Sequence, residues 1–226
     1  MPEVAHLAVH PAVRSADLID AAPLSDSLRV LARRGALQRL KRGVQIISEG
    51  DRGDTLYIVL SGQLRSFSSG DNGREVTYGI YGPGEYLGEM GLDGGLRSAN
   101  VQTTKASVCV LVTRATLEQH LAGEPAFAFE LLAKVLRRAR AATLGLRQMA
   151  LLDVYGRLTA LLEALAEPVE HGERVVDPAP SQLEISRQLG CSRVMVTKVM
   201  KDLEKGGYVR VERPRVVLCR VLPARW

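Results

Sequence analysis

Between Val44 and Val112 the chain never holds one texture for longer than a short strand. Apolar, β-branched segments (Val44-Gln45-Ile46-Ile47, Thr55-Leu56-Tyr57-Ile58-Val59-Leu60, Val108-Cys109-Val110-Leu111-Val112) are divided by turn signals. The turns fall at Glu49-Gly50-Asp51, Ser61-Gly62, Gly70-Asp71-Asn72-Gly73 and Gly82-Pro83-Gly84. Such spacing predicts a compact antiparallel barrel or roll, because a parallel sheet needs long helical crossovers between its strands. After Pro125 the texture reverses. Leu132, Val135, Ala139, Ala142, Leu146 and Met149 recur at alternating steps of three and four up to Asp153. That period is the seam of a coiled coil, or else one amphipathic helix packed on its own domain. Gly145, Ala139 and Ala142 are small enough to let two such helices approach closely, which favours a homodimer through this central helix.

The flanks are read the same way. Residues 1–16 lack a clear period and suggest a loosely held arm. From Leu18 to Leu40 a helical pattern (Leu24, Leu28, Leu31, Leu37) is interrupted by Gly35, and residues 115–121 begin another helical stretch. Asp153 reads as the N-cap of a helix from Val154 to Ala166, ending near Pro168, with a loop or hairpin over residues 168–180. Ser181-Gln182-Leu183-Glu184 is a capping box that opens a short helix. A turn at Gly190, a second helix from Ser192 to Lys205, a stop at Gly206-Gly207 and a hairpin around Pro214 complete the chain.

That last segment is the order of a helix-turn-helix followed by a wing. Leu183, Ile185 and Leu189 are expected inside from the first helix, and Val196, Val199, Met200 and Leu203 from the second. Ser192, Arg193, Thr197, Lys198 and Lys201 then face outward. Arg193 suits guanine, whose O6 and N7 match its fork; Lys198 suits a base or a phosphate, and Val194 a thymine methyl. Ser192, Thr197 and Lys201 suit phosphates, which set register without reading sequence. The charge agrees: the whole chain carries +5, while residues 181–226 alone hold 10 Lys and Arg against 4 Asp and Glu. A basic C-terminal unit is an electrostatic footprint for double-stranded DNA.

The stretch from Gly88 to Ala99, Gly-Glu-Met-Gly-Leu-Asp-Gly-Gly-Leu-Arg-Ser-Ala, places a carboxylate and a guanidinium on either side of a glycine-bearing turn. Glu89 can accept hydrogen bonds from a ribose hydroxyl, Arg97 can pair with a phosphate oxygen, and Ser98 adds a hydroxyl. Gly88 lets backbone approach a ligand with no Cβ in the way.

Other chemistry is poorly supplied. The four histidines are scattered, none lies between Arg14 and Leu117, and Cys109, Cys191 and Cys219 are widely spaced. A metal site, a haem or iron–sulfur sensor and a disulfide scaffold are therefore not expected, nor is an enzyme, since no catalytic nucleophile–base pair presents itself. Cys191 reads as a small apolar residue of the helical turn rather than a redox sensor. No apolar run is long enough to span a bilayer and no secretory signal is evident, so a cytoplasmic protein without membrane contact is expected.

Taken together, the sequence resembles the family of bacterial transcription regulators that includes the catabolite activator protein and the fumarate–nitrate regulator. The resemblance runs from about Leu31 to Leu218. It rests on Gly50, the Asp54–Gly62 strand, the Gly88–Ala99 segment, Leu152-Asp153-Val154-Tyr155-Gly156-Arg157 and Gly190-Cys191-Ser192-Arg193. It implies an α+β fold: an N-terminal antiparallel β-roll over residues 1–124, a long dimerising helix over 125–152, and a C-terminal winged helix-turn-helix over 153–226. It also implies a cyclic-nucleotide effector held by Gly88, Glu89, Met90, Arg97, Ser98 and Ala99, with Thr143 from the partner's long helix touching the base. A palindromic operator and RNA polymerase are the implied partners. Two departures matter. Ala142 stands where the family has a second hydroxyl for the base, and Val194 and Lys198 replace an acid and an arginine in the recognition helix. Cyclic AMP is the expected effector; cyclic GMP or cyclic di-GMP on the same scaffold, or an effector-independent regulator, are the alternatives.

Overall fold

The structure, a computed structural model, describes residues 15–71, 73–169 and 173–223. Most of the expected N-terminal arm lies outside these residues, but Ser15 and Ala16 already belong to a helix. The chain divides into two compact units: residues up to Ser66 with Gly79–Leu132, and Phe67–Tyr78 with residues from Ala133 onward.

From the N-terminal side, α1 (Ser15–Ala21) and α2 (Asp26–Ala32) precede eight strands. The strands are β1 (Ala36–Leu40), β2 (Gln45–Ile47), β3 (Leu56–Ser61), β4 (Leu64–Ser69), β5 (Glu75–Tyr81), β6 (Tyr86–Leu87), β7 (Asn100–Thr103) and β8 (Ser107–Val112). They form two four-stranded sheets, ordered β1-β8-β3-β6 and β2-β7-β4-β5. β3 explains why a single strand can read as an unbroken apolar run. Leu56, Ile58 and Leu60 join one buried cluster with Leu28, Leu31 and Phe127. Tyr57 and Val59 join another with Ile47, Leu64 and Leu87. Side chains alternate across a strand, so both faces of β3 are covered.

One expectation fails here. The helical pattern predicted through Leu40 stops at the C-cap Arg33, and Leu37 lies in β1, paired with Val110 of β8. Gly35 approaches that strand so closely that an added Cβ would sit 2.6 Å from the Leu111 carbonyl oxygen. Pairing with β8 overrides the local leucine period, as tertiary context commonly does.

α3 (Arg114–Gly123) begins at the N-cap Thr113, and α4 (Pro125–Leu151) is one continuous helix of 27 residues. Phe127 is its only buried residue among those described, packed against Tyr86 and edge-on to His120 at a ring-centroid separation of 5.1 Å. The predicted seam stands in the open on the single chain: Leu132 is 53% exposed and Leu146 71% exposed.

The second unit contains α5 (Val154–Leu165), a sheet ordered β11-β12-β10-β9, and the helix pair α6 (Gln182–Leu189) and α7 (Arg193–Lys205). The strands are β9 (Glu167–Pro168), β10 (Arg174–Val176), β11 (Val209–Glu212) and β12 (Arg215–Leu218). Local chemistry sets the boundaries as expected. Asp153 accepts a hydrogen bond from the Gly156 N–H at 2.8 Å and caps α5. Ser181 and Glu184 close the reciprocal capping box of α6, and Ser192 caps α7 through the Met195 N–H. Gly190 sits at φ 61°, the left-handed conformation that turns the chain from α6 into α7. Leu158, Leu162, Ile185, Leu189, Val196, Met200, Leu203 and Val209 form the core of this unit, with Cys191 and Val199 partly buried against it.

Candidate functional site

The Gly88–Ala99 segment folds as a short 3₁₀ turn, Glu89–Gly91, followed by a loop that returns through Arg97 to β7. Gly88 caps this turn at φ 96°, and an added Cβ there would lie 2.6 Å from the Thr55 carbonyl oxygen. Glycine is needed on both counts. The backbone of Arg97 is tied to the β2–β3 loop: its N–H donates to the Asp51 carbonyl at 2.8 Å, and its carbonyl accepts from the Gly50 N–H at 2.9 Å. The loop thus holds the arginine between two parts of the roll that are distant in sequence.

Glu89 and Arg97 are each only 6% exposed. Burying an acid and a base in one loop is costly unless each charge is compensated, so these are not casual surface charges. The Arg97 guanidinium is compensated in a defined way. Its Nη1 donates to the Gly88 carbonyl at 2.8 Å, and its Nη2 donates to both the Thr55 carbonyl at 3.0 Å and the Thr55 Oγ1 at 2.9 Å. Burial pulls its pKa below the ordinary arginine value, while Tyr57, Asp54 and Glu89 act in the opposite sense.

The other residues of the loop are less enclosed. Met90 and Ser98 are exposed, with the Ser98 hydroxyl 3.6 Å from the Met90 sulfur, and Ala99 is half-buried. Gly88, Glu89, Met90, Arg97, Ser98 and Ala99 are therefore brought together as expected. Ala142 and Thr143 are not part of this loop. They are exposed on α4, and the Thr143 hydroxyl donates to the Ala139 carbonyl one turn back at 3.0 Å. Three residues of the site escape a reading by residue type: Gly53, Thr55 and Gly91. An added Cβ at Gly53 would meet Arg97 Nε at 2.8 Å, and one at Gly91 would meet the Gly53 carbonyl at 2.4 Å. Close backbone packing of this kind leaves only a glycine in the sequence as its signal.

On α7, Arg193, Val194, Lys198 and Lys201 are exposed, and none of the three cations forms an ion pair among the described residues. Ser192 is exposed as well; its oxygen accepts from the Met195 N–H, which leaves its hydroxyl hydrogen available. Thr197 departs from expectation. It is half-buried, with its hydroxyl 2.6 Å from Gln182 Oε1 and 3.0 Å from the Arg193 carbonyl, so it bridges α6 and α7 rather than facing freely outward. Leu183 departs in the other direction and is 44% exposed. It stands two positions from Ile185, and residues two apart on a helix do not share a face. In the wing, Arg215 pairs with Asp177 at 2.8 Å, and Arg210 with Glu212.

A β-roll carrying a buried carboxylate–guanidinium pair, followed by a winged helix-turn-helix, defines a ligand-responsive DNA-binding regulator. Residues 37–124 match the model of the cyclic nucleotide-binding domain, and residues 156–221 that of the Crp-like helix-turn-helix domain. The CRP-like cAMP-activated global transcriptional regulator of Mycobacterium tuberculosis is 32% identical over 181 residues, covering 78% of this chain and 81% of the relative. The cAMP-activated regulator Vfr of Pseudomonas aeruginosa is 30% identical over 184 residues, covering 76% and 84%. Among solved structures, the c-di-GMP-responsive global regulator Clp of Xanthomonas campestris superposes with a TM-score of 0.74 at 25% identity, over 85% of this chain and 97% of that one. The chain belongs to the CRP/FNR family of transcription regulators. No helix among the described residues is long and apolar enough to cross a membrane.

Proposed function

We propose that this protein is a homodimeric transcription regulator whose affinity for a palindromic operator is gated by a cyclic nucleotide, with cyclic AMP as the effector. Residues 1–124 receive the effector, 125–152 join two protomers, and 153–226 bind DNA. The observation that carries this reading is the burial of Glu89 and Arg97, 6% exposed each, in one glycine-lined loop. A carboxylate there suits the ribose hydroxyl, and a planar guanidinium suits the phosphate. Two relatives, at 32% and 30% identity, are cAMP-activated regulators, which supports the same nucleotide.

The open seam of α4 supports the dimer, since a helix of this length with one buried residue needs a partner for its apolar stripe. Parallel pairing would bring Thr143 of each protomer towards the effector base of the other. At operators, Arg193 would read guanine, Val194 a thymine methyl and Lys198 a base or phosphate, while Ser192, Thr197 and Lys201 set the register. RNA polymerase is the expected downstream partner. Effector binding shifts the DNA-binding equilibrium only through different affinities for two conformations of the protein.

A second reading, cyclic di-GMP or cyclic GMP on the same scaffold, has its own support. Ala142 removes one hydroxyl that the family offers to the adenine edge, and the structurally similar Clp is c-di-GMP-responsive. Isothermal titration of the protein with the three nucleotides in parallel separates the readings. Micromolar binding of cyclic AMP, lost in Arg97→Leu with folding intact, is expected. Binding of cyclic di-GMP alone would transfer the assignment to the second reading.

A further inference from the structure

α7 carries two stripes. Val196, Met200 and Leu203 belong to the core of the second unit. Met195, Lys198, Val199 and Asp202, spaced i, i+3, i+4 and i+7, share another face and line a groove of about 310 Å³ together with Tyr155 of α5. That volume lies at the low end of small-molecule sites, roughly 300–1,000 Å³, and suits one aromatic side chain better than a nucleotide. Met195, Val199 and the Tyr155 ring give it apolar surface, while Lys198 and Asp202 add a cation and an anion one helical turn apart. Asp202 enters no ion pair among the described residues. The chain itself arrives at this groove. Leu222 is buried in the core of the same unit, and the Pro223 carbonyl accepts a hydrogen bond from the Tyr155 hydroxyl at 2.9 Å. Ala224-Arg225-Trp226 follow in the sequence and lie outside the described residues. Three residues span at most about 10 Å when extended, so Trp226 stays within reach of the groove that Tyr155 lines.

We propose that the groove between α5 and α7 is the docking site of this chain's own Trp226, with the indole packed on Met195, Val199 and Tyr155 and Arg225 paired with Asp202. A docked tryptophan buries more area than any other single side chain could here, and a methionine sulfur beside the ring adds a favourable contact. The alkyl stem of Lys198 lies along the indole while its ammonium stays in water. The Arg225–Asp202 pair sets the direction of the segment more than its strength, since an exposed ion pair contributes little. Docking ties the recognition helix to α5 at a second place besides the core. It concerns the second unit alone and depends neither on the effector nor on the operator.

The test reads the intrinsic fluorescence of the whole chain, in which Trp226 is the one tryptophan. Wild type is compared with Met195→Glu and Asp202→Lys, each checked for folding by circular dichroism. Wild-type emission is expected to be blue-shifted from that of N-acetyltryptophanamide, with severalfold slower quenching by acrylamide, at every protein concentration. Met195→Glu sets a carboxylate against the indole and should move both readings to those of the free amide. Asp202→Lys should move them part of the way; no movement would overturn the pairing with Arg225. Wild-type emission and quenching equal to those of the free amide would overturn the docking. A folded Met195→Glu protein whose indole stays as protected as in wild type would do the same, because the indole would then be covered elsewhere. Protection that grows with protein concentration would assign the indole to a second copy and likewise overturn the inference.

Discussion

Gly53→Ala is the perturbation that separates the effector site from the fold most sharply. Gly53 does not occupy the left-handed region, so alanine can adopt its backbone conformation. The unfolded chain loses some freedom by the change, which stabilises by about 0.4–1 kcal/mol. Against this stands one methyl group. Its carbon would lie 2.8 Å from Arg97 Nε, 2.9 Å from Nη2 and 3.2 Å from Cζ. Relief requires the guanidinium to retreat by about 0.5 Å, which stretches the Thr55 contacts, now 2.9 and 3.0 Å, to the edge of a hydrogen bond at about 3.5 Å. The retreat is also hindered from the Gly88 and Gly91 side, where Nη1 already lies close to the backbone. Hydrogen bonds from a charged group are worth about 1.5–3 kcal/mol each. Weakening two of them, with partial compensation by relaxation, should lower cyclic AMP affinity by about tenfold to thirtyfold, or about 1.4–2 kcal/mol. Overall stability should change by no more than about 1 kcal/mol, because the entropic gain offsets part of the strain. Calorimetric titration measures the first quantity and thermal unfolding the second. A folded Gly53→Ala protein that binds cyclic AMP within twofold of wild type would refute the reasoning.

Other consequences concern the rest of the chain. Asp153→Ala removes the cap of α5 and should destabilise the protein by about 1 kcal/mol in urea unfolding; an unchanged midpoint would deny the cap that role. Arg193→Ala should weaken specific operator binding by about 1–3 kcal/mol while leaving non-specific binding nearly unchanged, as gel-shift competition with random DNA would show. Equal loss on both DNAs would make Arg193 a phosphate contact. His120 is fully buried; burial foremost, and then the Arg34 charge, hold its pKa below the ordinary 6.5, against smaller opposing effects that include Glu124 and Glu130. The folded state therefore binds this proton less readily than the unfolded chain. Its contribution is fully present above pH 6.5 and is lost as pH falls below that value. Unfolding midpoints between pH 5 and 7.5 should slope accordingly, and His120→Leu should flatten the slope.

Much of this architecture was legible because it rests on local chemistry. The capping box at Ser181, the N-caps at Asp153 and Ser192 and the left-handed turn at Gly190 each depend on a residue type at a fixed offset. The roll was legible from its turns. What failed depended on the rest of the molecule. Leu37 fits a helical period as well as a strand, and only its pairing with Val110 decides between them. Leu183 was grouped with Ile185 by hydrophobicity alone, although the helical period sets them on different faces. Thr197 is half-buried rather than turned outward because Gln182 of the neighbouring helix engages its hydroxyl.

The effector loop divides along the same line. Glu89 and Arg97 stand out in the sequence because a carboxylate and a guanidinium flank a glycine-bearing turn; their burial belongs to the folded chain. Thr55, Gly53 and Gly91 were silent, since their part depends on carbonyl positions and clearances that only the folded backbone defines. The same limit applies to the proposed base preference, which would depend on how Ala142 and Thr143 of one protomer meet the site of another.

The most direct test of the account is a fluorescence-anisotropy titration of a labelled palindromic operator with the purified protein, with and without saturating cyclic AMP. The account predicts at least a tenfold tighter operator affinity with the nucleotide in wild type, and no nucleotide effect in Arg97→Leu. Operator affinity that is the same with and without any cyclic nucleotide, in a protein that calorimetry shows to bind one, would contradict the claim that this site gates the DNA-binding unit.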